Sequence, residues 1–333
     1  MIITRTPFRI SFVGGGTDLR SFYSEELGKV LSTSIDKYIY VVVKRQIGIV
    51  EYKYRINWST VEFTNDINKI ENPVARECLK YFKIDYPIEI TTFADIPANT
   101  GLGSSSAFAV GLVNALFALE GKLASKYQIA SIAAKIEIDL LGRKIGKQDH
   151  FACCYGNINN LVFKSNESVE INPIVASTKI IKKLEDNIIL FYTNQKRNSE
   201  SVLKNQFKIK KNQFIELNRM KDLVKISQNM ILNKNFNIKN FGKLLDKNWQ
   251  IKKEINKLSS NKSIDKYYKT AITNGAYGGK LLGAGNGGFL LFIANKSTQQ
   301  KLSKKLKKLK KLCIKFDHTG TRITYIDKTG EAN

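Results

Sequence analysis

Apolar and polar residues alternate from Ile2 and then run apolar through Ile10, Phe12 and Val13, until three glycines at 14–16 end the pattern. This predicts a strand over residues 2–13 closed by a turn. Residues 38–45, rich in valine and tyrosine, predict a second strand, and residues 47–63 continue as strands and turns. Pro73 near a first turn predicts a helix over 73–82, and residues 88–93 read as a strand. From Ser105 to Leu119 apolar residues run nearly all round, the pattern of a buried helix. A further helix is predicted from Ser125 to Leu141, with Gly142 placed to close it. Near Glu185 the pattern resets. A strand over 188–193 leads into a lysine- and asparagine-rich helical region reaching about Asn261. A helical segment then starts near residue 266 and ends at Gly275 or Gly278, followed by a glycine cluster at 278–288. A strand over 289–294, a basic helix over 301–311 and a last strand near 321–326 complete the chain. No repeat and no Pro/Gly-rich linker is visible, so the pattern implies two domains sharing an interface, residues 1–182 and 183–333.

Composition narrows the class. Of 333 residues 43% are hydrophobic and 25% charged, which excludes a disordered chain. The longest clear apolar run, residues 289–294, is far short of the ~18 residues a membrane span needs. The first residues lack the basic-then-apolar pattern of a signal peptide. Four cysteines form no CxxC pair, and two histidines are too few and too scattered for a zinc site. A reduced, cytoplasmic protein without a membrane partner is the expectation.

Lys and Arg number 54 against 29 Asp and Glu, a formal charge of +25. Within residues 301–311, Leu302, Leu306 and Leu309 recur at helical spacing among lysines. Such a helix either binds a membrane surface or nucleic acid, or packs its leucines on a core and solvates its lysines; charge runs are usually solvated faces, so the second reading is preferred. The charge would steer anionic small molecules without naming one, and no nucleic-acid-binding signature accompanies it.

Three segments carry chemistry. In the first, Pro97, Gly101, Leu102, Gly103, Ser104, Ser105 and Ser106 make a glycine-containing turn that opens the apolar helix. Unpaired N–H groups and the helix dipole make such an entrance an anion site, glycines let phosphate oxygens approach the backbone, and a serine hydroxyl can ligate Mg²⁺. Two glycines and three serines exceed what capping requires. No Walker A string occurs. A GxGxxG string does, at Gly283–Gly288, but a helix-like segment precedes it and a strand follows, the reverse of the dinucleotide motif. In the second segment a strand delivers Arg9 and ends in Gly14, Gly15, Gly16, Thr17 and Asp18, placing backbone and a carboxylate where a polyol could be held. The third contains Glu137, late on a helix, and Asp149, in a loop between Gly146 and the apolar stretch beginning at Phe151. A carboxylate there could orient or deprotonate a hydroxyl, and Glu137 could hold a metal.

In order along the chain, these segments resemble the GHMP kinase superfamily of galactokinase and the homoserine, mevalonate and phosphomevalonate kinases. Pro-x3-Gly-Leu-Gly-Ser-Ser matches its phosphate loop, the 278–288 cluster its C-terminal glycine motif, and Gly-x-x-Thr-Asp its sugar-kinase members. Arg-Ile-Ser-Phe-Val-Gly-Gly-Gly-Thr-Asp-Leu, Ser34 to Tyr38, Gly-Lys-Gln-Asp-His and Gly-Gly-Lys-Leu-Leu-Gly-Ala-Gly are similar to D-glycero-D-manno-heptose 7-phosphate kinases. These phosphorylate the anomeric O1 of a heptose 7-phosphate, giving the 1,7-bisphosphate used for nucleotide-activated heptose and surface polysaccharide.

The resemblance implies a two-domain α+β fold: an N-terminal domain like the second domain of ribosomal protein S5 and a ferredoxin-like C-terminal domain. It implies ATP and Mg²⁺ as cofactors and a small sugar phosphate as substrate, and leaves a homodimer open. Asp149 falls on the family's catalytic aspartate and Arg9 on its basic partner. Ser105 and Glu137 take the Mg²⁺ positions, with the residues from Pro97 to Ser106 around the nucleotide. Gly15, Gly16, Thr17 and Asp18 fall on the sugar site, and Gly283 and Gly285 on the loop over phosphate and substrate. Lys196 and Arg197 resemble an arginine motif of the heptose enzymes and are expected at the substrate phosphate. Asn286 interrupts a glycine run, and Arg20 stands where proline is expected, either as a substrate contact or as surface. Rival readings are a GHMP kinase for fucose or a hexose, a basic nucleic-acid-binding protein, and a catalytically dead scaffold.

Overall fold

Backbone pairing in the computed structural model, which describes residues 1–47, 49–195 and 209–327, starts from two long strands. Ile2–Val13 (β1) and Gly28–Arg45 (β2) run antiparallel along nearly the whole of β1. Their β-branched and aromatic residues favour the pleated surface. β2 outlasts its partner and also carries Tyr54–Asn57 (β3), Val61–Thr64 (β4) and Ile88–Ala94 (β5) on one edge. Ile158–Phe163 (β6) pairs with it further along and is followed by Val169–Pro173 (β7). All pairings are antiparallel except that of β3 with β5. The helix Ser104–Leu119 covers the inner face, buried from Ser106 to Leu116 as its all-round apolar pattern predicts.

A second sheet is built from Ile188–Tyr192 (β8), Gly278–Leu281 (β9), Phe289–Ile293 (β10) and Lys310–Leu312 (β11), in the order β11-β8-β10-β9, all antiparallel. In order of appearance this is the 4-1-3-2 arrangement of a ferredoxin-like sheet, so the α+β expectation holds. The helices Lys211–Leu232, Ile238–Ile255 and Lys262–Thr273 lie between its first two strands, and Lys296–Lys305 between its last two. No helix among the described residues is long and apolar enough to cross a membrane.

Four departures from the sequence pattern concern the site or the domain boundary. First, β9 was not expected: its sequence Gly-Gly-Lys-Leu has little strand propensity, and pairing with β10 imposes the conformation. The glycine cluster after it is therefore a hairpin loop. It has a strand on both sides, and the dinucleotide motif still fails because no helix follows. Second, the helix expected over 125–141 is regular only from Lys126 to Lys135, opened by a Ser125/Gln128 capping box, and continues as a π-helical turn, Ile136–Leu140. Third, Asp149 lies in the first turn of a helix, Gln148–Tyr155, not in a loop. Fourth, sheet membership does not divide the chain at one point. Phe316–Asp317 (β12) pairs with β2 and Arg322–Ile326 (β13) with β1, whereas a cut at residue 182 assigns both to the second half.

The basic helix ends at Lys305, six residues before its expected end at Lys311. Leu302, Leu306 and Leu309 are buried against the second sheet while the lysines around them face solvent. The solvated-face reading accounts for this geometry. Leu302→Ala should destabilise the protein by about 2–5 kcal/mol, as core leucine truncations do, read as a lowered urea midpoint. A loss under about 0.5 kcal/mol, the surface range, would contradict the packing.

Candidate active site

Arg9 reaches inward from β1 and meets Asp149 from the helix Gln148–Tyr155 in a two-pronged ion pair. Nε donates to Oδ1 at 2.7 Å and Nη2 to Oδ2 at 2.6 Å. The remaining prong, Nη1, donates to the Gly101 carbonyl at 2.7 Å, and the Arg9 backbone N–H donates to the Leu102 carbonyl at 3.0 Å. One guanidinium thus holds the carboxylate and the glycine turn in register. Gly103 follows at φ +79°, and a Cβ there would stand 3.2 Å from Arg9 Cγ and 3.4 Å from Asp149 Oδ2. A left-handed residue without a side chain lets the helix Ser104–Leu119 begin directly over the pair. The helix's unpaired N–H groups and positive dipole end therefore face the same space as Asp149.

Behind the helix entrance lies a fully buried carboxylate. Glu137, on the π-helical turn, accepts from Ser105 Oγ at 2.5 Å, Ser106 Oγ at 2.8 Å and Arg143 Nη1, and its Oε2 lies 2.8 Å from His150 Nε2. Burial opposes its charged form most strongly, but the hydrogen bond and charge of His150, the charge of Arg143 and the Ser105 hydrogen bond together outweigh it. The carboxyl is held down at about 2.

Asp18 forms a third cluster. It accepts from the Gly16 N–H at 2.9 Å, from Gln148 Nε2 at 3.0 Å and from the Gln148 N–H at 3.3 Å. Burial, and after it the charge of Asp149, push its carboxyl above the usual value. Two neighbouring polar atoms, Ser11 Oγ and Gln148 Oε1, are buried with no hydrogen-bond partner.

The second sheet closes the space. Gly288, at φ +102°, lies so near the first domain that a Cβ would stand 2.2 Å from the Thr100 carbonyl, and the Phe289 N–H donates to that oxygen at 3.2 Å. Asn286 adopts φ +59°, the left-handed conformation that asparagine tolerates, so its place in the glycine run is accommodated. Lys280 of β9 is buried and donates to the carbonyls of Ser11 and Phe12 at 2.8 and 2.9 Å. Burial lowers its pKa well below the usual lysine value, with the charges of Lys252 and Arg9 acting in the same direction. Leu217, Met220 and Ile255 give one wall an apolar surface.

All of this encloses one cavity of about 510 Å³. Of the residues singled out by sequence, it brings together Arg9, Gly15, Gly16, Asp18, Gly101, Gly103, Ser104, Ser105, Ser106, Glu137, Asp149 and Gly283. Four others do not line it. Thr17 is buried with its hydroxyl committed to the Gly14 and Lys29 carbonyls, each at 2.8 Å, so it builds the turn and does not face a substrate. Leu102 belongs to the core, Gly285 packs on Ser259, and the Pro97 carbonyl accepts from Thr100 Oγ1 at 3.1 Å. Arg20 forms exposed ion pairs with Glu167 and Asp139 and does not line the cavity. Lys196 and Arg197 lie outside the described residues. Ser11, Arg143, Gln148, Lys252 and Lys280 on the cavity wall and His150 behind it were not singled out by sequence; Ser11, Gln148, His150 and Lys280 fall inside strings quoted for the family resemblance, and nothing singled out Lys252.

Among the described residues no group of three or more His, Cys, Asp or Glu side chains could hold a metal by itself. Glu137 and Ser105 nonetheless offer adjacent hard oxygen donors, the kind Mg²⁺ takes when nucleotide phosphates and water complete its shell. A cation already bridges them: Arg143 Nη1 lies 2.7 Å from Ser105 Oγ and also contacts Glu137 Oε1. The donor set fits the ion.

Family comparisons agree with this architecture. The GHMP kinases N terminal domain matches residues 68–157 and the GHMP kinases C terminal domain residues 230–312. The chain is 31% identical over 320 residues to the D-glycero-alpha-D-manno-heptose 7-phosphate kinase of Campylobacter jejuni, covering 92% of this chain and 93% of that protein. It is 25% identical over 328 residues to the bifunctional fucokinase/GDP-fucose pyrophosphorylase of Arabidopsis thaliana, covering 89% of this chain and 30% of that longer protein. A crystal structure of a D-glycero-D-manno-heptose 1-phosphate kinase from Bacteroides thetaiotaomicron shares the fold, with a TM-score of 0.79 at 20% identity, covering 98% of this chain and 100% of that one.

The Glu137 cluster makes a pH prediction. A carboxyl whose folded pKa is depressed from 4.5 to about 2 contributes stability that is complete above its unfolded value and lost as the pH falls through that window. Urea midpoints should therefore decline from pH 5 toward pH 2–3. Glu137→Gln should be less stable at pH 7 and decline less steeply; parallel curves would show that Glu137 does not carry the dependence.

Proposed function

The chain belongs to the GHMP kinase family and is a sugar kinase, an ATP-dependent phosphotransferase with an alcohol acceptor; we propose that its acceptor is the anomeric O1 of D-glycero-D-manno-heptose 7-phosphate and its product the 1,7-bisphosphate. The observation that carries the reading is the single cavity in which the Asp149 carboxylate, oriented by Arg9, faces the N-terminus of the helix Ser104–Leu119.

Phosphoryl transfer proceeds through a loose transition state, so positioning and charge neutralisation are the protein's main contributions. The helix N-terminus and the serines at its entrance hold the terminal phosphates of the nucleotide. Asp149 accepts the hydrogen of the attacking hydroxyl. Its two bonds to Arg9 fix the carboxylate plane, and the guanidinium also stands ready for charge developing on the phosphoryl oxygens. An anomeric hydroxyl is more acidic than an ordinary alcohol, so alignment suffices without full deprotonation beforehand. Asp18, Ser11 Oγ and Gln148 Oε1 suit a polyol, because unpartnered buried polar atoms are costly until a substrate hydroxyl meets them. Magnesium held by Glu137 and Ser105 would neutralise phosphate charge.

The likeness to the Campylobacter jejuni enzyme favours a heptose 7-phosphate, for whose phosphate Lys196 and Arg197 are the proposed partners. A second reading, fucose, draws on the apolar Leu217, Met220 and Ile255 wall, which would suit a sugar methyl group, and on the likeness to the plant fucokinase.

Coupled ADP release should give the highest kcat/KM on D-glycero-D-manno-heptose 7-phosphate, above fucose and galactose; a preference for an unphosphorylated sugar would overturn the assignment. Asp149→Asn should lower kcat by ~10²–10⁴, the usual worth of a positioned acid–base group, while nucleotide still raises the melting temperature. A folded variant with near-normal turnover would remove Asp149 from the reaction.

A further inference from the structure

The Glu137 carboxylate is fully buried, and an uncompensated charge at such depth would be strongly destabilising. Without nucleotide and metal, the cation that meets it from the cavity side is the guanidinium of Arg143. That side chain is 22% exposed, lines the cavity, and touches both Ser105 Oγ and Glu137 Oε1, the oxygens suited to a divalent ion. Its backbone is a tight loop outside the helices. The Arg143 N–H donates to the Glu137 carbonyl at 3.0 Å and the Arg143 carbonyl accepts from the Ile145 N–H at 3.0 Å. Gly142 precedes it at φ +61° with open space around it. The guanidinium therefore stands on a fixed backbone at the cavity edge, within one hydrogen bond of the helix entrance. Arg143 lies outside the helices, so its side chain can leave Glu137 without breaking a helical hydrogen bond.

We propose that Arg143 is the resident counter-ion of the metal site: it occupies the Ser105–Glu137 oxygens in the empty enzyme, yields them to a divalent cation, and then pairs with the nucleotide phosphates beside Ser105. This rests on the kinase reading of the cavity. Two consequences follow from the competition. Metal affinity in the absence of nucleotide is lowered by the fraction of molecules in which Arg143 has left, so a guanidinium in place ninety to ninety-nine per cent of the time weakens binding by about 10–100-fold. Metal and nucleotide bind cooperatively, because the phosphates stabilise the displaced guanidinium and the displaced guanidinium frees the oxygens. Arginine suits both stations, since its planar fork pairs with carboxylate and phosphate alike.

The test is a Mn²⁺ titration of the full chain, with free Mn²⁺ read by electron paramagnetic resonance, in wild type, Arg143→Ala and Arg143→Gln. Arg143→Gln keeps an amide donor beside Glu137 and serves where the alanine variant fails to fold. Without nucleotide, removing the charge should tighten Mn²⁺ binding at least tenfold. With a non-hydrolysable ATP analogue added, the gain in Mn²⁺ affinity seen in wild type should shrink in both variants. Unchanged or weaker Mn²⁺ binding in a folded variant overturns the proposal. A wild type whose melting temperature the Mn²⁺–analogue complex leaves unmoved overturns the kinase reading instead, and the nucleotide-free titration still decides the competition.

Discussion

The ion pair between Arg9 and Asp149 is the constraint around which the molecule is arranged. The partners are 140 positions apart in sequence, one on the first strand and the other on a helix that packs behind it. Removing a guanidinium and a carboxylate from water is expensive, and well-packed apolar residues could replace such a pair at little loss of stability. The pair is better understood as a positioning device. Three of its bonds join β1, the glycine turn and the helix of Asp149, and the approach of Gly103 to both side chains places a helix dipole where the carboxylate points. The third prong, on the Gly101 carbonyl, satisfies a buried donor and ties the glycine turn to the pair.

Much of this was legible in the sequence. The strand ending in Gly14–Gly16 and the glycine–serine entrance to an apolar helix each rest on local signals: period-two alternation, turn glycines, and an apolar run of helical length; the ferredoxin-like half was implied by the family resemblance alone. The illegible features have tertiary causes. The π-helical turn adds a residue to the helix of Glu137, so periodicity carried forward from Lys126–Lys135 cannot say that Glu137 is buried against Ser105 and Ser106. β9 is a strand because β10 is beside it. Thr17 resembled a ligand because threonine and aspartate adjoin in the motif, yet its hydroxyl closes the turn that presents Asp18. The return of β12 and β13 to the first sheet could not be seen without knowing that β1 and β2 had unpaired edges to offer.

The formal charge of +25 has little to do with the chemistry. Its lysines line solvated faces such as that of Lys296–Lys305, whereas the cavity sets Arg9, Arg143, Lys252 and Lys280 against Asp18, Glu137 and Asp149. Arg9 and Arg143 are each bonded to a carboxylate, so the interior is nearly neutral before anionic ligands arrive. A diffuse outer charge can raise the encounter rate of an anionic nucleotide, and does so without specifying what the cavity holds.

Those groups come from both domains, so the joint between them has to be firm. Lys280 provides it in a form that does not require a charge. A neutral amine still has two hydrogens for the carbonyls of Ser11 and Phe12, and a positive charge there would repel Arg9 and Lys252. The lowered pKa is thus compatible with the joint, because the bonds depend on donor geometry and the electrostatics favour the uncharged form. Ser11 is two residues beyond Arg9 on the same strand, so β9 of the second sheet grips the backbone that positions the Arg9–Asp149 pair. With Gly288 pressed on Thr100 from the other side, the second domain touches both the strand of Arg9 and the turn it holds. A shift of one domain against the other would therefore reach the ion pair through both of these contacts.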